Sequence, residues 1–205
     1  MITNNRELTM QSHFTYFIKA LLFLILAAVL AVFIFIYSGL YQIGADVPHN
    51  KGTFWLLETL RERSVAKAAA KVHVPDDLSS PARLLRGGPD YNEMCVSCHL
   101  SPFTSETDFT KGLYPSPPDL TKISSQKLNE KQRDQRRFWI IKHGIKATGM
   151  PAWGKSMADP YIWGMVAFLQ KLPELDEGAY RALVASSSGH QHGGGETPAG
   201  HGEQH

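Results

Sequence analysis

The sequence predicts an all-α protein: a single transmembrane helix, a helical stalk and a small helical domain. Three observations carry this. An uncharged apolar run near the N-terminus is long enough to cross a bilayer, the segments after it are rich in helix formers, and nothing in the second half alternates like a strand. Composition shifts and breakers place the boundaries at 1–19 for an N-terminal arm, 20–45 for the anchor, 46–79 for stalk and linker, 80–185 for the domain and 186–205 for a tail.

Residues 20–45 carry no charge and open with ALLFLILAAVLAVFIFIY. As a helix the run would extend about 39 Å at roughly 1.5 Å per residue, more than the ~30 Å hydrocarbon core of a bilayer. A cleaved signal peptide has an apolar region of only about 7–15 residues and a small-residue cleavage site. This run is longer and no clear A-x-A site closes it, so a retained anchor is expected. Charge does not orient it, because Arg6 and Lys19 precede the span while Lys51, Arg61 and Arg63 follow it.

The stalk, NKGTFWLLETLRERSVAKAAAKV at 50–72, is rich in strong helix formers. Trp55, Leu56 and Leu60 gather near its membrane end, with Glu58, Arg61, Glu62 and Arg63 behind. Its apolar end is expected at the membrane interface or against a partner; a solvated spacer is the alternative. VPDDLSSP at 74–81 breaks the pattern. Ser80 before Pro81 then signals a helix start that carries Leu84, Leu85, Gly87 and Tyr91 towards the cysteines, with a kink or restart expected near Gly88 because of Pro89. A second helix should end at RRFWIIKHG, stopped by Gly144. A third opens at Asp159–Pro160 and closes before Pro173, with Ile162, Val166 and Leu169 forming one buried stripe. A short helix at about 176–184 and a glycine-rich, disordered tail finish the chain. The segment 101–120 shows no regular pattern, and so long a loop in so small a domain means that something other than side chains fills the core.

The net charge is only +2. The nearest approach to a basic cluster, KLNEKQRDQRR at 127–137, is diluted by Glu130 and Asp134 and lacks aromatic residues for base stacking. It is expected to be a solvated helix face, and nucleic acid is not an expected partner.

The two cysteines of the chain stand three apart in EMCVSCHL, with a histidine directly behind. A redox pair of thioredoxin type would need a βαβ setting, which is missing. A zinc site of two cysteines and two histidines would need an H-x₃₋₅-H pair, and the nearest close histidines, His190 and His192, lie in the tail. C-x-x-C-H is the pattern of c-type haem attachment, and shuffling this composition would produce it in roughly 4 of 10,000 cases, so the usual false-positive risk of a short motif is small. Cys95 and Cys98 would add to the two vinyl groups of haem c, and His99 would be carried to the iron. For the second axial position Met150 is the candidate among six methionines, in the glycine-flanked GIKATGMPAWG and stiffened by Pro151. Met157 is the alternative sulfur.

CVSCH, PPDL, KHGI, GMPAW and YIWGMVAFLQKL stand in an order that resembles a class I c-type cytochrome, and more closely the membrane-anchored, single-haem cytochromes c of Gram-negative bacteria. The resemblance covers residues 81–172. It implies a class I cytochrome c fold around one covalent haem, with first and last helices crossing near right angles through Gly87 and Tyr91 on one side and Trp163, Gly164 and Phe168 on the other. It also implies that Pro118, or Pro117 if the register differs by one, offers its carbonyl to the second ring nitrogen of His99. Trp153 is a candidate haem contact, a propionate partner or a packing residue. Pro89 departs from the family's unbroken first helix.

Histidine and methionine together leave no open position for substrate, so the resemblance implies an electron carrier, not a catalyst in its own right. Its partners would be redox proteins: a quinol-oxidising complex or substrate dehydrogenase as donor and a haem-copper oxidase as acceptor. A flexible stretch at 46–80 would hold it near them as an anchored shuttle or electron-accepting subunit. Because c-type haem is attached outside the bacterial inner membrane, the N-terminus is expected in the cytoplasm and the haem domain in the periplasm. Two other readings stay open. A labile Met150 would let the iron bind peroxide, NO or CO, and the tail histidines His190, His192, His201 and His205 could collect copper.

Overall fold

The computed structural model describes residues 3–123 and 127–185; the expected tail, with its four histidines, lies outside the described residues. All elements among the described residues are helical, including the one-turn α5 (Asp108–Lys111) inside the segment 101–120 expected to be irregular. The chain divides into two compact units, Met1–Val47 and Pro48–His205.

The first unit is one helix, α1 (Thr3–Ser38). Its stretch His13–Ser38 is long and apolar enough to cross a membrane and buries nothing against protein. The helix stops at Ser38, short of the expected boundary at 45. Gly39 takes a φ of +64°, the left-handed conformation that glycine accepts without steric cost at a helix end.

The second unit begins with α2 (Lys51–Ala69), whose first turn is capped by the Asn50 side chain accepting from the Thr53 amide at 2.9 Å. Its later turns are not a flexible linker. Val65 and Ala69 are buried against α6 (Glu130–His143), Arg136 of α6 pairs with Glu62 at 2.8 Å, and the Gln135 amide donates to the Val72 carbonyl at 2.7 Å. From Glu62 onward the stretch 46–80, expected to be flexible, is thus docked on the domain.

α3 (Pro81–Met94) continues through Pro89 without a restart, and α7 (Asp159–Lys171) crosses it. The crossing is set by glycine: a Cβ on Gly87 would overlap the Gly164 carbonyl and lie 2.8 Å from the Met165 nitrogen. Backbones therefore touch where the resemblance implies contact. Tyr91 meets Phe168 there, ring centroids 5.3 Å apart, but Trp163 turns instead to α6 and stacks on Phe138 at 4.1 Å. α7 buries eight consecutive residues from Ile162 to Leu169, not one stripe, because α3, α6 and the final α8 (Glu177–Ala185) enclose it. Tyr180 of α8 is buried against Phe168 and donates to Asn92 Oδ1 at 3.1 Å.

The expectation of a solvated face at 127–137 also fails in its middle. Asp134 and Gln135 are buried; Asp134 accepts from Gln170 at 2.8 Å and pairs with Arg137 at 3.4 Å. Burial raises the Asp134 pKa above the ordinary carboxylate value despite these partners. α6 ends as expected at Gly144, φ +64°.

Candidate haem-binding site

The C-x-x-C-H segment forms one helical turn, α4 (Val96–His99), directly behind α3. The Cys95 amide donates to the Tyr91 carbonyl at 2.9 Å, ending α3. The Cys95 carbonyl accepts from the Cys98 and His99 amides at 3.1 and 2.8 Å, starting the next turn. Both thiols are free and lie one turn apart. Cys95 belongs to the core, and burial pushes its thiol up to about 12; Cys98 is half-exposed.

His99 is fixed on three sides. Its Nδ1 donates to the Pro118 carbonyl at 2.9 Å, which selects Pro118 over Pro117 as its partner. A ring that donates through Nδ1 keeps its lone pair on Nε2, the atom available to a metal. The His99 carbonyl accepts from the Leu120 amide at 3.2 Å and from the Tyr91 hydroxyl at 3.3 Å, and the same hydroxyl donates to the Leu100 carbonyl at 2.7 Å. Burial lowers the His99 pKa, against the opposing effect of the Pro118 bond, so the imidazole is neutral at neutral pH. Leu100 closes the turn at φ +69°, an uncommon conformation for a residue with a Cβ.

Met150 is half-buried, in the loop after α6. A Cβ on Gly144 would come within 2.7 Å of the Met150 carbonyl, so the loop folds back directly onto the helix end. The Met150 carbonyl accepts from the Ile145 amide at 3.2 Å. Thr148 ties the turn from inside, its hydroxyl donating to the Ile145 carbonyl at 2.8 Å and accepting from the Met150 amide at 3.1 Å. Ala147 sits at φ +57°. Met150 and Trp153 both pack on the core cluster that includes Cys95. Trp153 opens a 3₁₀ turn, Trp153–Lys155, and its carbonyl accepts from the Met157 amide at 2.9 Å. Met157 is itself a core residue, only 4% exposed, whereas Met150 borders the core.

This donor set fits a haem: two free thiols one turn apart, a neutral imidazole with Nε2 open, and a thioether on a glycine-flanked loop. Cys95 and Cys98 would hold the macrocycle, and His99 and Met150 are the side chains that would bind its iron. Two clefts lined in part by Leu78, Ser79, Glu130 and Gln170 contain none of these residues.

Two contributors escaped the sequence reading, the Tyr91 hydroxyl and Thr148. The first carried a signal, since a buried tyrosine needs a partner for its hydroxyl where phenylalanine would not.

Residues 82–169 match the family model described as cytochrome c oxidase, cbb3-type, subunit III. No curated protein matches the chain, and no solved structure does. The matched stretch runs through α3, the C-x-x-C-H turn, Pro118, Met150 and nearly all of α7; α1, α2 and α8 lie outside it. The match supports a c-type cytochrome, the class of protein in which haem c is bound covalently.

Proposed function

We propose that this chain is a membrane-anchored carrier of single electrons in a respiratory chain. One haem c is held by Cys95 and Cys98, with His99 and Met150 at the iron. The observation that carries the reading is the His99 geometry within the matched domain: Nδ1 engaged by Pro118 at 2.9 Å and Nε2 left for the metal. Bound haem supplies a reversible one-electron couple. The chain's residues do the rest. Pro118 fixes the imidazole plane and raises its basicity. Met150 offers a thioether that favours the reduced iron and raises the potential. With His99 and Met150 both offered to the iron, the chain would leave no position for a substrate, which supports exchange of electrons over transformation of a bound molecule.

α1 is the anchor in this reading. Haem attachment outside the bacterial inner membrane places the second unit in the periplasm and the N-terminus in the cytoplasm. The family description names an oxidase subunit, which supports a haem-copper oxidase as acceptor; a quinol-oxidising complex or substrate dehydrogenase is the donor. The test uses the full chain in mild detergent. A quinol-oxidising complex should reduce its haem and a haem-copper oxidase should reoxidise it, while protease added to spheroplasts should release the haem domain. An intact covalent haem that exchanges electrons with neither partner would contradict the carrier role. Protection of the domain in intact spheroplasts would contradict the topology.

A further inference from the structure

We infer that the first turns of α2, residues 51–60, are seated in the lipid interface, giving the chain a second membrane contact that holds the cytochrome domain in a fixed attitude. The inference rests on the anchoring role of α1 proposed above.

Phe54, Trp55, Leu56, Leu57 and Leu60 are exposed by 48, 67, 58, 46 and 64%. At about 100° per residue Leu56, Leu60, Leu57 and Phe54 form one broad apolar face and Trp55 extends it on the far side, while Lys51 and Glu58 share the remaining sector. A narrow stripe would fit one groove on one partner, whereas so broad an apolar face with a charged opposite sector suits the lipid interface, apolar on one side and polar on the other. Lipid supplies that without a shaped socket.

The polarity then changes within one turn. Arg61 pairs with Glu58 at 2.6 Å and with Glu62 at 3.2 Å, and Glu62 pairs onward to Arg136. An apolar collar bearing a tryptophan, followed at once by a charged band, matches the step from the acyl boundary to water. Lys51, at the other end of the collar, has the long stem that lets an ammonium reach the headgroups while its methylenes stay apolar.

Chain continuity names the membrane as occupant. Only residues 39–50 separate the end of α1 from the start of α2. Even fully extended they reach no more than about 43 Å, and they carry exposed Leu40, Ile43 and Val47 themselves. An anchored α1 therefore keeps the collar within reach of the bilayer surface.

The contact matters because α2 is built into the domain. Val65 and Ala69 are buried, so the helix that enters the interface is the helix that packs on α6. The collar end is also tied to the haem-site strap: the His49 amide donates to the Tyr114 hydroxyl at 3.1 Å, their rings meet edge-on at 5.2 Å, and Tyr114 lies four residues before Pro118. The membrane-facing end of the domain is therefore the end that carries the strap orienting His99.

Full-length haem-loaded protein in vesicles of phosphatidylethanolamine and phosphatidylglycerol, doped with a phospholipid bearing a photoreactive diazirine near its glycerol, tests this. After illumination and digestion, lipid adducts should appear on peptides covering 51–60 as well as on α1. Phe54→Glu with Leu57→Glu should lower the α2 adducts several-fold while leaving α1 adducts and haem content unchanged. Adducts on α1 with none at 51–60 would overturn the second contact and leave the anchor standing. Adducts on neither segment would overturn the anchor as well.

Discussion

The two sides proposed for the iron are held in different ways. His99 ends a helical turn and is tied by side chain and backbone to Pro118, Leu120 and Tyr91, so its place follows from helix geometry and a strap sewn to it. Met150 lies in a loop held by Thr148, by the Ile145 amide and by a glycine that lets the chain fold back. One side is positioned by elements that also build the core; the other by a few bonds that can break locally without unfolding the domain. Damage to the histidine side should therefore be paid in folding, and damage to the methionine side in iron chemistry.

The largest expected effect removes the frame common to both sides. Gly87→Ala drives a methyl into the Gly164 backbone, where no side chain can swing away, and should cost about 3 kcal/mol. Guanidinium unfolding of the detergent-solubilised protein would measure it. A loss below about 0.5 kcal/mol would mean that the crossing can slide and that its glycines are not what fixes the histidine side.

The two methionines sharpen the contrast next. Met157→Ala empties a core position and should destabilise by about 2 kcal/mol while keeping the weak far-red band of sulfur bound to ferric haem. Met150→Ala should cost less stability, lose that band, lower the reduction potential and gain CO binding. Loss of the band on changing Met157 alone would reassign the axial sulfur.

The smallest test is a matched pair of hydroxyl deletions. Thr148→Val breaks two hydrogen bonds of the Met150 loop, and Tyr91→Phe removes the hydroxyl shared by the Leu100 and His99 carbonyls; each should cost about 1 kcal/mol. Only Thr148→Val should speed CO binding. Equal CO binding in both variants would erase the proposed difference between the sides.

Much of this was legible in the sequence because the signals were local. The C-x-x-C-H turn, the stop at Gly144 and the Asp159–Pro160 helix start each declare themselves within a few residues. What could not be read depended on distant neighbours. Pro118 and Pro117 are chemically equivalent until the strap's path places one carbonyl on His99. Asp134 looks like any surface carboxylate until Gln170, thirty-six residues away, meets it. α2 has no apolar stripe to announce its docking, since the contact rests on Val65 and Ala69 with polar support from Glu62 and Gln135. The resemblance assigns Trp163 to the α3 crossing, yet α6 offers its ring a face to stack on. The end of α1 lay in plain sight at Gly39, masked by apolar residues that continue beyond it.

The most direct test of the central claim is the mass of the intact chain under denaturing conditions, after expression with a c-type maturation system. The account predicts a polypeptide heavier by one haem, staining for haem peroxidase activity after heat denaturation, and a Cys95→Ser, Cys98→Ser variant with the bare polypeptide mass and no stain. A wild-type chain of bare mass, or a double variant that retains covalent haem, would contradict it.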